Sequence, residues 1–393
     1  MKKIPYGRQN VTEEDIQAVV ETLKGDWLTQ GPRIVEFEKA FADYVGAKYA
    51  VAVSNGTAAL HLCTMALGVG KNDKVITTPI TFAASANCVR YTDGEVVFAD
   101  IDPETYLLDI KEVEKLLKEA PMGTYKGIIP VDFAGRAVDL EAFRKLADAY
   151  GCWIIEDACH APGGYFTDSM GVEQKCGNGQ FADLAIFSFH PVKHIAAGEG
   201  GMITTNDEIL YKKLLNLRTH GIQQEPSKKI YDHGGWYYEM QELGYNYRLT
   251  DIQSALGLSQ LKRAGEGITK RRQIANTYYQ KLREAGFIKG QSGVISGHAY
   301  HLYVIETENR KELFNYLRSL NIIVQVHYVP VHLMPYYQDR GWKEGDLPHA
   351  ENYYKHCLSL PMYPTLTDEE QSYVLGEVNN FYSEELSEIN VIV

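Results

Sequence analysis

At 393 residues the chain is long enough for two lobes around a large core and too long for a single small module. A content of 45% hydrophobic and 23% charged residues, with 14 Pro against 34 Gly, excludes disordered, collagenous and low-complexity classes. Lys plus Arg number 39 against 51 Asp plus Glu, and the resulting formal net charge of -12 argues against generic nucleic-acid or anionic-membrane binding.

In chain order, short apolar runs bounded by turn residues fall at residues 50–53, 75–78, 96–99, 127–131, 153–156, 184–188 and 201–204, with helix-length segments between them. Such a series predicts an α/β architecture, a mainly parallel seven-stranded sheet with crossover helices. From Asp251 to about Gly286 the pattern becomes one long helical stretch, interrupted near Gly265 and Gly267, which predicts a lobe boundary. A large domain then covers residues 1–260 and a smaller α+β C-terminal domain covers 261–393. Within the latter, 301–306 and 322–327 read as strands, 310–320 as the helix between them, and 368–382 as a further helix. No internal repeat is evident.

The six cysteines, at 63, 88, 152, 159, 176 and 357, show no CxxC spacing, so reduced and mostly buried thiols are expected rather than zinc ligands or disulfides. The start MKKIPYGRQNVTEED has no apolar h-region, and no apolar run approaches the ~20 residues of a membrane span, so a cytoplasmic protein is expected. Tyrosine is abundant, 27 beside 13 Phe and 4 Trp; a ring with a polar tip suits wet pockets and interfaces.

Three segments carry chemistry. Ser54-Asn55-Gly56-Thr57-Ala58-Ala59 takes a strand through a small-residue turn into a helix, where free backbone N–H groups and the helix dipole favour an anion; a plain N-cap by Ser54 or Asn55 is the alternative. The segment has neither GxGxxG nor P-loop spacing, so NAD and ATP are not indicated. In FSFHPVKH, Ser188 ends an apolar strand and Lys193 follows in a small-residue loop before GEGG, where desolvation would lower the amine pKa and make it nucleophilic; a solvated surface lysine is the bland reading. His190 and His194 have metal-pair spacing, but Pro191 breaks the helix such a pair needs, so no metal site is expected. In EDACHA, Glu156 and Asp157 close a central strand, where open α/β sheets place ligands; for Asp157 a helix N-cap and for His160 a satisfied helix-face histidine are the alternatives. An anion cradle, a carboxylate and a desolvated lysine on one sheet edge form the set that pyridoxal 5'-phosphate (PLP) requires.

At these residues the sequence resembles the DegT/DnrJ/EryC1/StrS sugar aminotransferases, fold type I PLP enzymes, from about Tyr6 to Tyr382. The resemblance rests on LTQGPRIVEFEKAFADYVGAKYAVAVSNGTAALHL, TTPITFAASANCV, EDACHAPGG, FSFHPVKHIAAGEGGMITTND, LGYNYRLTDIQSALGLSQL and LSLPMYP, in that order. It implies that Lys193 forms the internal aldimine and shuttles a proton, that Asp157 partners the pyridine nitrogen, and that His160 lies near the phenolic oxygen. It further implies that Phe82 stacks on the ring, that Gly56, Thr57 and Ser188 bind the phosphate, and that Asn246 reaches the phosphate of a neighbouring subunit in a homodimer. Arg248 is matched to the carboxylate of the amino donor, and Tyr6, Thr29, His327 and Tyr328 to the substrate side of the pocket. VDFAG, FSFHPVKH and QVHYVPVH are similar to the pseudaminic-acid-type members, implying transfer of an amino group from glutamate to C4 of a UDP-linked 4-keto-6-deoxy-N-acetyl hexose. SNGTAAL is instead the common family form of its loop, and perosamine-type or 3-amino-sugar transfer and a non-catalytic binding role are the alternatives. Lys193 stands against the related 3-dehydratases, which carry histidine there.

Overall fold

The computed structural model describes residues 3–223, 229–231, 233–284, 289–290 and 295–392. Each of the seven expected apolar runs forms a strand of one seven-stranded sheet. Across it the order is Tyr49–Val53, Gly201–Thr205, Leu184–Ser188, Trp153–Asp157, Tyr125–Ile129, Lys74–Thr77 and Glu95–Phe98. The last five pair in parallel, and Gly201–Thr205 runs antiparallel to both of its neighbours. Helices cover this sheet, so its central strands read as unbroken apolar runs rather than alternating ones. The α/β class and its mostly parallel seven-stranded sheet are therefore as the sequence indicates.

Six strands share one direction, so Val53, Thr77, Asp157 and Ser188 all end at the same edge, and Gly201 begins there. Glycine is required at 201. A Cβ there would lie 2.6 Å from the carbonyl of Asn55 and 3.0 Å from the nitrogen of Gly56, so the 54–56 turn crosses directly over this backbone.

Three apolar clusters hold the molecule together. One packs the helices against the sheet from Val51 and Ile76 to Ile154 and Ile186. A second joins the helices Ala264–Glu284 and Asp368–Ile392 to a three-stranded sheet through Tyr278, Tyr303, Leu358, Leu360 and Val374. The third is aromatic: Phe41 meets Phe187 at 4.8 Å and Phe189 at 5.4 Å between ring centroids, and all three are fully buried.

Two local expectations are corrected. The long helical stretch breaks at Lys262–Arg263, between the helices Asp251–Leu261 and Ala264–Glu284, so Gly265 and Gly267 lie inside the second helix. The break coincides with a tertiary anchor: the Arg263 guanidinium donates to the fully buried Asp15 at 2.7 Å. Residues 322–327 form no strand. That segment is held instead by single bridges, Ile322 to Ile4 and Gln325 to Ser359. All six cysteines are free thiols, five of them buried, and among the described residues no helix is long and apolar enough to cross a membrane.

Phe41→Ala should cost about 3–5 kcal/mol, because the surrounding rings cannot collapse into the space. Thermal or denaturant unfolding measures this; a midpoint equal to that of the parent chain contradicts the assigned core.

Candidate active site

A cavity of about 860 Å³ opens at the sheet edge where the strand ends converge. It is lined by Tyr6, Gly56, Thr57, Phe82, Asp157, His160, Ser188, Lys193, His327 and Tyr328, so the structure brings together most of the residues singled out from the sequence.

At one end the Gly56–Ala66 helix points its N-terminus into the cavity. Asn55 is its cap, accepting from the Ala58 N–H at 2.8 Å, and the Ala59 N–H bonds the Asn55 carbonyl. The cap and the anion cradle are thus compatible: the N–H groups of Gly56 and Thr57 keep no partner among the described residues. A Cβ at Gly56 would press on Ser188 Cβ at 3.2 Å, so the glycine leaves the backbone open beside the Ser188 hydroxyl. A phosphate-sized anion fits these groups.

Asp157, at the end of its strand, is only 5% exposed, and its carboxylate has two donors: the Ser85 hydroxyl at 2.7 Å on Oδ2 and the Cys159 N–H at 3.2 Å on Oδ1. Both hydrogen bonds stabilise the charged form. Ser85 lies in the TTPITFAASANCV stretch but drew no attention in the sequence, since a helix serine has no pattern that marks it as a partner of a residue 72 positions away.

Lys193 follows the Leu184–Ser188 strand in a turn closed by its own N–H on the His190 carbonyl at 2.8 Å. Burial pushes its amine below the ordinary lysine range, with Cys159 and Asp157 acting the other way and Arg271 in the same direction. The histidines around the amine add no charge to this effect. His160, His194, His301 and His327 are held neutral, chiefly by burial; His160 and His301 lie well below their usual range and His327 at about 3. A charged imidazole beside Lys193 would face the same desolvation cost and a second positive charge.

The tautomer of His160 follows from its partners. The left-handed turn at Ala134 presents that residue's N–H to Nδ1 at 3.2 Å, so in the neutral ring Nε2 carries the proton. Nε2 lies 3.1 Å from the Tyr328 hydroxyl oxygen and donates to it. Burial keeps that phenol protonated, so Tyr328 retains a donor of its own at the cavity wall.

Asn246, Thr29 and Arg248 are not brought into this chain's cavity lining. The 245–248 stretch runs beside the end of Tyr49–Val53, with Arg248 bridged to Val53 and the Ser54 N–H on the Tyr247 carbonyl. Alternation in this extended stretch sends the rings of Tyr245 and Tyr247 into the cavity and leaves Asn246 exposed on the other side. Thr29 is exposed and bridges Thr250, in a segment whose Gly31 and Arg33 N–H groups bond the buried Asp251 carboxylate, which gives LTQGPR a structural use. Of the cations near the N-terminus that could meet a diphosphate, Lys3, Arg8 and Arg33 lie outside the cavity lining, Arg33 being paired with Glu36; Lys2 lies outside the described residues.

With this geometry in view, the sequence pattern of the DegT/DnrJ/EryC1/StrS aminotransferase family matches residues 9–379. The chain belongs to that family. It is 39% identical over 386 residues to the spore coat polysaccharide biosynthesis protein SpsC of Bacillus subtilis, covering 96% of each. It is 36% identical over 378 residues to the UDP-4-amino-4,6-dideoxy-N-acetyl-beta-L-altrosamine transaminase of Campylobacter jejuni, covering 94% of this chain and 95% of the relative. Among solved structures it resembles Helicobacter pylori PseC, an aminotransferase involved in the biosynthesis of pseudoaminic acid, with a TM-score of 0.88, 31% identity and coverage of 98% and 100%. It also resembles the PLP-form of the sugar aminotransferase Spr1654 of Streptococcus pneumoniae, with a TM-score of 0.86, 28% identity and coverage of 98% and 99%. This protein is accordingly a sugar aminotransferase with the fold type I architecture.

Behind the aminotransferase site lies a second acidic group. Asp132, Glu156 and Cys176 are all buried, and their side-chain atoms lie within 4.8 Å of one another. The Val138 N–H takes one Asp132 oxygen and the Gly177 N–H one Glu156 oxygen. Two carboxyls this close in a dry interior hold a shared proton rather than two charges. Burial raises both above the usual carboxylate range, and the charge of Asp132 adds to the effect at Glu156.

Two outcomes follow. Ser85→Ala should weaken PLP binding about tenfold by loosening Asp157, with little change in thermal midpoint; titration of cofactor-free protein reads this, and unchanged affinity contradicts the Ser85 role. For the acidic pair, a folded-state pKa above the unfolded value means that the stability of the protonated form is complete below about pH 4 and is lost as pH rises through the raised value. Glu156→Gln removes a titrating group, so its thermal midpoint should gain on the parent chain between pH 5 and 9, whereas a constant offset would contradict the shared proton.

Proposed function

We propose that this sugar aminotransferase uses PLP, bound covalently through Lys193, to move the amino group of an amino acid, glutamate, onto C4 of a UDP-linked 4-keto-6-deoxy-N-acetyl hexose. The observation that carries the reading is the partly buried Lys193 amine, its pKa lowered, in one cavity with the Asp157 carboxylate and the open Gly56–Thr57 backbone. The 36% identity to the altrosamine transaminase and the likeness to PseC support the choice of sugar.

In this reading the Gly56 and Thr57 N–H groups and the Ser188 hydroxyl hold the phosphate, and Phe82, which lines the cavity and is 64% exposed, covers a ring face. Asp157, fixed by Ser85 and Cys159, holds the proton on the pyridine nitrogen. PLP, when bound, supplies an electron sink for the pair of electrons left at the donor's α-carbon. Lys193 would take the α-proton of the donor, and burial, which lowers the affinity of its amine for a proton, favours the neutral form that acts as base. His160 sits beside the phenolic side of the cofactor and, through Nε2, orients Tyr328. Tyr6, which packs on His327 at 5.3 Å between ring centroids, joins His327 and Tyr328 on the sugar side. Asn246 and Arg248 serve the site of a second copy, the first at its phosphate and the second at the donor carboxylate. The exposure of Asn246 outside its own cavity supports this homodimer.

The reading is tested by incubating purified chain with glutamate and a panel of nucleotide-linked keto sugars and determining the product ring by NMR. Amination at C4 of the UDP-linked 4-keto sugar is expected; turnover of another nucleotide sugar alone overturns the substrate assignment. Lys193→Ala should bind PLP without the absorbance of the lysine-bound form and lose transamination, and turnover near that of the parent chain would falsify the role of Lys193.

A further inference from the structure

His301 belongs to no motif singled out from the sequence, yet its Nε2 lies 3.4 Å from the Lys193 amine, the shortest polar approach described for that amine. It is 4% exposed and lines the cavity. Its other nitrogen, Nδ1, is buried with no hydrogen-bond partner, so the approach to Lys193 is the one polar contact described for the ring.

The backbone around it is built to aim the ring. Tyr300, immediately before it, takes a left-handed conformation with φ 47, and the Tyr300 N–H is held by His298 Nδ1 at 2.8 Å. Beneath the turn, the fully buried Arg271 donates from one nitrogen to the carbonyls of Tyr300, His301 and Met362 at 3.0–3.2 Å. From above, Ala299 and Leu302 donate to the carbonyls of Gly135 and Ala134, and a Cβ at Gly135 would lie 2.8–2.9 Å from the nitrogens of Tyr300 and His301. Every one of these contacts fixes main chain, and from it the imidazole lies beside Lys193 and against the His160 ring at 4.3 Å between centroids.

We infer that His301 is a positioning residue for Lys193: its neutral Nε2 accepts one amine N–H and so turns the nitrogen lone pair toward the reacting carbon. The groups facing it are Lys193, His160, His194 and Arg271, and burial with these neighbours keeps the ring unprotonated, as an acceptor must be. This rests on the functional reading above, in which the Lys193 amine adds to the cofactor's aldehyde carbon, forming a C=N bond while the aldehyde oxygen leaves as water. An amine whose rotation about its last bond is restrained reacts faster at the same affinity.

The test is the rate of capture of PLP by cofactor-free protein, followed by stopped-flow absorbance, with the dissociation constant measured separately. His301→Gln places an acceptor where Nε2 stands and should capture PLP near the rate of the parent chain. His301→Asn, whose acceptor falls at the Nδ1 position, and His301→Leu should both be about three- to tenfold slower at little-changed affinity. With α-deuterated glutamate the slow variants should show a larger isotope effect on the first half-reaction, a readout that loose packing alone does not move. Gln and Asn variants that behave alike, or a Leu variant as fast as the parent, overturn the proposal; the Gln–Asn comparison still decides when Leu does not fold. If the parent chain forms no borohydride-reducible bond at Lys193, it is the functional reading that fails instead.

Discussion

The whole site depends on one constraint, the parallel run of strands from Glu95–Phe98 to Leu184–Ser188. Parallel pairing sends every strand's C-terminal end to the same edge, so loops far apart in sequence must meet there. Thr77, Asp157 and Ser188 are delivered by three such ends, and the crossing of Ser54–Gly56 over Gly201 brings a helix N-terminus to the same place. An antiparallel arrangement of the same apolar runs would scatter the lysine, the carboxylate and the phosphate cradle to opposite edges.

Around that edge the dominant electrostatic fact is desolvation. Lys193 stands among His160, His194, His301 and His327, four rings that burial keeps neutral, so the pocket gathers basic nitrogens without gathering positive charge. The Asp157 carboxyl lines the same cavity and is held there by hydrogen bonds from Ser85 and the Cys159 N–H. Hydrogen bonding also sets proton positions one step removed from the reaction: the Ala134 N–H chooses the tautomer of His160, and His160 then leaves Tyr328 as a donor. The group that sets this chain of partners is a backbone N–H, which cannot rotate away.

Much of this was legible in the sequence, and for identifiable reasons. Strands buried on both faces must be apolar throughout, so all seven runs stood out. Asp157, Ser188, Gly56 and Lys193 lie at or shortly after the ends of such runs, where ligand-binding loops belong. Ser85 and His301 were not legible: each acts through one contact across a long sequence separation, and neither interrupts a local pattern. Asn246 and Tyr247 are adjacent in one motif, but only the period of an extended strand divides them between the outside of the chain and the cavity. The 322–327 segment read as a strand because it is apolar, yet its backbone pairs only through single bridges, to Ile4 and Ser359, among the described residues.

By itself the sequence determined the α/β class, the strand set, the chemistry of lysine, carboxylate and anion cradle, and the family. These depend on local periodicity and on residues next to strand ends, both of which are written along the chain. Only the tertiary structure decided which partners hold Asp157 and Lys193, which tautomer His160 adopts, and that the helix after Asp251 breaks where Arg263 meets Asp15. Those outcomes turn on distances between groups tens to hundreds of residues apart, and such distances exist only once the sheet edge has assembled.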